Sequence, residues 1–259
     1  MHDTVLTLSH VDHGTVVMRT SLRAIHFFLA CIALVATGCA MGPARADDAK
    51  ADPDLMEVLK GVRMVQSGQI QAAIDGPLTD VVDRYTTKYA HSDKRIYSAR
   101  GPMQSMLYLA RAANAEKRSA IALGPAWGMA YWARGYAYAE MARYPEAEGE
   151  LRKAVVLSPS DAQYQNELAY ALQAQHRFAD SLAIYEQVPG MVPLMDDWPD
   201  SLKNEYLCKA YRGQGYDLAE LGRFDDAAKA YGECLKIIPD EPKSKGELAW
   251  IAEQKAKKH

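Results

Sequence analysis

Along residues 128–241 the apolar positions recur with helical spacing, in paired stretches of about fourteen residues separated by short polar turns. Three segments carry one arrangement: 128–161, 162–195 and 208–241. Gly135 and Ala147 of the first segment become Ala169 and Ser181 34 residues on. They become Gly215 and Ala227 46 residues after that, a step that contains a 12-residue insertion. Tyr144, Phe178 and Phe224 open the second stretch of each pair, and Pro159 and Pro239 close it, because proline lacks an N–H and crowds the preceding turn. Small residues on both stretches predict close backbone approach, and so an antiparallel helix hairpin. One hairpin cannot bury its apolar face alone, so neighbouring pairs are expected to stack. Residues 244–257 place Leu248, Ile251 and Ala252 on one side of a helix and lysines on the other, which suits a cap on the last pair.

Upstream the pattern is weaker. Residues 54–75 read as a first helix and a broken second, interrupted at Gly76-Pro77. Residues 78–90 read as a separate helix with Leu78, Val81, Val82 and Tyr85 on one face. Residues 94–127 meet the same grid at Tyr97, Gly101, Ala113, Ala120 and Pro125, and are expected to form a degenerate pair broken at Gly101-Pro102. The predicted organisation is a targeting segment over 1–46, an N-terminal helical region with degenerate repeats over 47–127, and three repeats with a capping helix over 128–259.

The amino terminus reads as an address. Arg19 and Arg23 precede an uncharged apolar run from Ala24 to Ala36, the length of a secretory core and short for a spanning helix. Met18 is the expected true start. Ala36-Thr37-Gly38-Cys39 resembles a bacterial lipobox with Ala36 where Leu is usual, and Ala44-Arg45-Ala46 suits ordinary signal cleavage before Asp47. Lipidation at Cys39 is the favoured reading. By resemblance to lipoprotein sorting, the lack of Asp after Cys39 implies an outer-membrane lipoprotein facing the periplasm; ordinary cleavage implies the periplasm.

The 34-residue grid resembles the tetratricopeptide repeat, with six or more matching positions in each of three units. Arg134 and Gln214 depart from it where a large aliphatic is usual, and Val188 and Cys234 where Ala is usual. The resemblance implies an all-α, right-handed α-solenoid whose first helices line a concave groove. It places Trp132, Tyr136, Asn166, Tyr170, Arg212 and Tyr216 on that lining, with tyrosine at the ninth position of every unit. Such aromatic and arginine side chains dominate binding hot spots. Family members that grip a C-terminal carboxylate carry Lys and Asn where this chain has Trp132 and Tyr136, so that mode is not expected. A peptide with acidic character near Lys209 and Arg212 is the expected occupant. Cys208 and Cys234 fall at the same end of one antiparallel pair, where they would either bond in an oxidising compartment or sit as two small buried residues.

Composition adds exclusions. Hydrophobic residues are 49% and charged residues 24%, which argues against wholesale disorder. A net charge of −3 gives no reason to expect nucleic acid as a partner. No catalytic motif, cofactor signature or metal-ligand spacing appears: beyond residue 46 the histidines are His91, His176 and His259. The expected function is a non-enzymatic interaction scaffold of the bacterial envelope that binds a protein or peptide and meets the membrane only through a lipid at Cys39. The alternative is an accessory subunit of an envelope enzyme or polymer-export system. Its ligand would sit on the basic, Tyr-rich stretch 83–105, with Arg84, Lys88, Lys94, Arg95 and Arg100 among Tyr85, Tyr89 and Tyr97. The stretch Met195-Asp196-Asp197-Trp198-Pro199-Asp200 reads either as a binding patch or as the start of a lengthened helix, since Pro suits a first turn.

Overall fold

The computed structural model describes residues 52–257. The targeting segment and Cys39 lie outside them. Three expected pairs are present: α5 (Ala126–Glu140) with α6 (Tyr144–Leu157), α7 (Ala162–Gln173) with α8 (Phe178–Tyr185), and α10 (Asp200–Glu220) with α11 (Phe224–Ile237). Between α8 and α10 the chain forms a short helix α9 (Val188–Met191) and a 3-10 turn, Val192–Leu194. α12 (Pro242–Ala256) buries Ile251 against α11, as a cap should. No helix among the described residues is long and apolar enough to cross a membrane.

The chemistry of each hairpin repeats. A Cβ on Gly135 would lie 2.5 Å from Leu151 Cγ, and one on Gly215 would lie 2.7 Å from the Tyr231 ring, so the small residue admits the large one facing it. Each turn is closed by a left-handed residue seven positions after the small one: Ala142 (φ 57), His176 (φ 59) and Gly222 (φ 76). This is the usual helix C-terminal stop, in which the following N–H groups reach back to the last carbonyls.

The same signature appears a fourth time, where only a broken pattern was expected. Gly68 (φ 83) stands seven residues after Gly61, Ile70 takes the opening aromatic's place, and Ala73 is fully buried where Ala147 and Ala227 are. Helix α1 (Pro53–Gln66) therefore pairs with a bent second arm made of α2 (Ile70–Ala73), a π-helical turn Ile74–Leu78 and α3 (Thr79–Tyr89). The π turn has a physical cause. Leu78 fills the space over Gly61 but lies 17 residues beyond it, whereas Leu151 and Tyr231 lie 16 beyond their glycines. The extra residue is absorbed at Gly76 (φ −114, ψ −110) beside Pro77. The expected separate helix over 78–90 is thus the continuation of one arm, and the described residues form four pairs. Val58, Val62, Leu78, Ala133, Leu151 and Leu172 share one core across the first three.

Residues 94–127 do not form a degenerate repeat. β1 (Arg95–Ser98) and β2 (Ala120–Leu123) pair in parallel, with Arg95 opposite Ala120 and Ser98 opposite Leu123, and α4 (Pro102–Arg111) crosses between them. Gly101 met the grid by coincidence: a Cβ there would strike the Asp196 carboxylate, not a partner helix. The βαβ element is anchored by Tyr97 stacked on Tyr108 (5.1 Å), both fully buried.

Candidate functional site

The proposed groove lining divides into buried and exposed halves. Trp132 is 5% exposed and is stacked between Tyr136 (5.9 Å) and Tyr164 (6.2 Å). Asn166 is fully buried and donates to the Ala162 carbonyl at 2.9 Å. Both were expected on the binding surface, but Trp132 is packed between consecutive first helices and Asn166 is buried with its amide turned onto its own helix backbone, so neither side chain is open to a partner. Tyr136 is half-buried and bonded to Glu140. Tyr170 and Tyr216 are 37% and 41% exposed. Their rings rest edge-on against Tyr144 (6.3 Å) and Phe178 (6.1 Å), the aromatics that open second helices. Burial of their lower halves pushes both phenols up. They are therefore neutral, rigid and partly wet at pH 7, the character of a contact surface.

The cations of the groove are engaged. Lys209 donates to Glu167 at 2.6 Å, and Arg212 faces Glu241 at 3.5 Å and the Cys208 sulfur at 3.4 Å. Glu241 also caps α12, accepting from the Ser244 N–H at 2.6 Å. This internal pairing removes the reason to expect an acidic occupant. Below the tyrosines, Asp217 is fully buried and accepts from Gln173 Nε2 at 2.9 Å, and burial pushes its carboxyl up to about 6.

Cys208 and Cys234 are joined in a disulfide between α10 and α11, their Cα atoms 4.3 Å apart. With Glu241 they make the one grouping of metal-ligand type among the described residues, and bonded sulfurs are not available as thiolate ligands.

The stretch 83–105 is absorbed by packing. Tyr85 and Tyr89 stack on Trp127 at 5.5 and 5.8 Å, and Arg84 pairs with Asp54 at 2.7 Å. Tyr97 donates its hydroxyl to Glu116, and Arg95 donates to the Val156 carbonyl. Arg100 forms a buried pair with Asp161 at 2.6 Å, donates to Gln163 at 2.7 Å, and lies between the rings of Tyr164 and Trp198 at 5.1 and 5.7 Å. Asp161 caps α7 with its other oxygen. The Met195–Asp200 stretch completes this joint. Gln104 donates to the Met195 sulfur, Asp196 accepts from the Met103 N–H, and the Trp198 ring packs tilted against Tyr206 at 4.5 Å. Helix α10 begins at Asp200 with Pro199 at its N-cap and runs for 21 residues, so the stretch does open a lengthened helix, and the residues before Pro199 form a turn that locks two insertions together. A shallow open depression remains, lined by Asp80, Asp83, Arg84, Thr87 and Lys88.

No family model matches the chain. No curated protein matches it either. Solved structures do. PilF of Pseudomonas aeruginosa is 13% identical, with a TM-score of 0.53 over 79% of this chain and 69% of that one. A kinesin-light-chain-like protein of Podosopora anserina with nearly identical TPR-like repeats is 17% identical, with a TM-score of 0.51 over 78% and 86%. The first TPR of Spaghetti (RPAP3), bound to an HSP90 peptide, is 21% identical over 50% of this chain and 93% of that one, at a TM-score of 0.42. At these identities the likeness is one of fold, and it agrees with the repeating hairpin, the left-handed turn of every pair and the glycine-to-large-residue contact at Gly61, Gly135 and Gly215. The chain has the fold of tetratricopeptide-repeat proteins: over the described residues it is an α-solenoid of four helix pairs with a C-terminal cap and a βαβ insertion.

Proposed function

We propose that the chain is a non-enzymatic interaction scaffold of the cell envelope that binds an extended or helical peptide of a partner protein along its first helices. The observation that carries this is the recurrence of tyrosine at one helical position in consecutive pairs, Tyr136, Tyr170 and Tyr216, with the last two exposed and held edge-on by neighbouring rings. Packing alone needs no such register of exposed rings. The occupant's apolar side chains would lie on the rings, and the paired cations beside them offer little pull on acidic residues. The tyrosines and arginines of 83–105 are engaged in stacking and pairing while Lys88 and Lys94 stay exposed, which gives the accessory-subunit reading less support than the tyrosine register gives the groove.

Two features support the envelope. The apolar run and Cys39 motif resemble an export signal, and a disulfide suits an oxidising compartment. Metabolic labelling with palmitate tests the anchor: label present in wild type and lost in Cys39→Ala is the expected result. An unlabelled protein that begins at Asp47 establishes ordinary cleavage instead. For the groove, Tyr170→Ala with Tyr216→Ala is expected to weaken capture of the partner from solubilised membranes at least about tenfold, with helicity unchanged. Undiminished capture by this variant overturns the groove assignment.

A further inference from the structure

Helix α4 wears its polarity inside out. It buries only Gln104 and Tyr108, and Ala112 of the following π-helical turn Ala112–Glu116 continues the same four-residue spacing. Gln104 accepts from the Arg100 N–H and donates to Met195, and the Tyr108 hydroxyl accepts from the Ser160 N–H. The face turned to solvent carries Met103, Met106, Leu107, Leu109 and Ala110, with Met106 73% exposed. A surface helix normally presents the reverse arrangement, so this face is built for a second apolar phase.

Charge indicates which phase. Residues 94–119 hold six basic side chains (Lys94, Arg95, Arg100, Arg111, Lys117, Arg118) against one acid, Glu116, in a chain whose net charge is −3. Arg100 is buried in its pair with Asp161, and Arg95 and Arg111 share Glu116. Lys117 and Arg118 are exposed just beyond the end of the helix. A second copy docked on the same patch would set these cations against their own counterparts.

We propose that the outward face of α4, with Lys117 and Arg118, docks on the surface of an anionic phospholipid bilayer. The methionine and leucine side chains enter the headgroup–acyl boundary and the cations meet the phosphates. Methionine suits this use, because its unbranched, polarisable chain adapts to an irregular apolar surface. This contact adds to any lipid at Cys39. It rests on the envelope reading only for the source of the membrane, and it makes no use of the tyrosine groove.

The test uses residues 48–259, one compact unit by its contacts, sedimented with vesicles of phosphatidylcholine and phosphatidylglycerol or of phosphatidylcholine alone. Binding to the mixed vesicles is expected, weakened by salt and reduced at least about tenfold in Met106→Glu with Leu109→Glu, whose side chains are already in solvent and whose thermal transition should not move. Wild-type protein that stays in the supernatant overturns the proposal, as does a double variant that sediments equally well. A wild-type dimer that becomes monomeric in the variant, without vesicle binding, identifies a self-association face and also overturns it. Tyr170→Ala with Tyr216→Ala is expected to keep full vesicle binding, so failure of the groove and failure of the membrane face read out separately.

Discussion

Asp217 shows how one side chain couples burial to pH. Its carboxyl is fully enclosed and titrates at about 6, above the ordinary value near 3.9. A raised carboxyl favours the fold while both states are protonated, below the unfolded pKa, and that contribution is lost as pH rises through about 6. Asp217→Asn keeps an acceptor for Gln173 and removes the charge. It is expected to stabilise the protein by about 1–2 kcal/mol at pH 7 and by nothing measurable near pH 4. Urea unfolding at the two pH values checks this, and an equal effect at both would rule out the ionisation argument. Gly135→Ala sets two effects against each other. Alanine improves helix propensity by about 1 kcal/mol. Its Cβ, however, would stand 2.5 Å from Leu151 Cγ and 3.2 Å from the Ala147 carbonyl oxygen, and a backbone carbonyl yields little. Overpacking of this kind costs about 1–3 kcal/mol, so a net loss of thermal stability is expected.

At the scale of elements, the two insertions are held to each other and to α7 through Arg100. The guanidinium has Asp161 and Gln163 as acceptors and rings on either side. Arg100→Met keeps much of the volume and leaves the Asp161 charge buried and unpaired, which costs about 3–5 kcal/mol. The loss should be local first. Hydrogen exchange is expected to speed up in 94–124 and 186–200 before α10 and α11 change. Uniform loss of protection across all pairs would show instead that Arg100 supports the solenoid as a whole. The bent second arm of the first pair makes a related point, since a single extra residue between Gly61 and Leu78 was accommodated by a π turn and not by a shifted register.

At the scale of the whole molecule, stability is close to a sum of pairs and their interfaces. The last pair is stapled by Cys208–Cys234, which closes a 26-residue separation. Loop closure of that length restricts the unfolded chain by about 3 kcal/mol. Cys208→Ser with Cys234→Ser is expected to lower the melting temperature, and dithiothreitol to lower that of wild type alone; a reductant effect of the same size on the double variant would point to another cause. The molecule also separates its surfaces, with tyrosines along the first helices and the α4 face on an insertion apart from them.

Much of this was legible in the residues alone because it is local. Gly135 and Ala147, or Gly215 and Ala227, lie 12 residues apart across one turn, so spacing determines that the two backbones must meet, where the turn falls and how often the unit recurs. The exposed tyrosines could be named because they share that period. Contacts made across long separations were not legible. Only the tertiary structure decided that Arg95–Ser98 would pair with Ala120–Leu123, that Arg100 would find Asp161 61 residues away, that Trp132 would be covered by Tyr164 of the next unit, and that Asn166 would be buried. Strand pairing and the burial of a polar or aromatic side chain depend on what arrives opposite it, and a period along the chain carries no information about that partner.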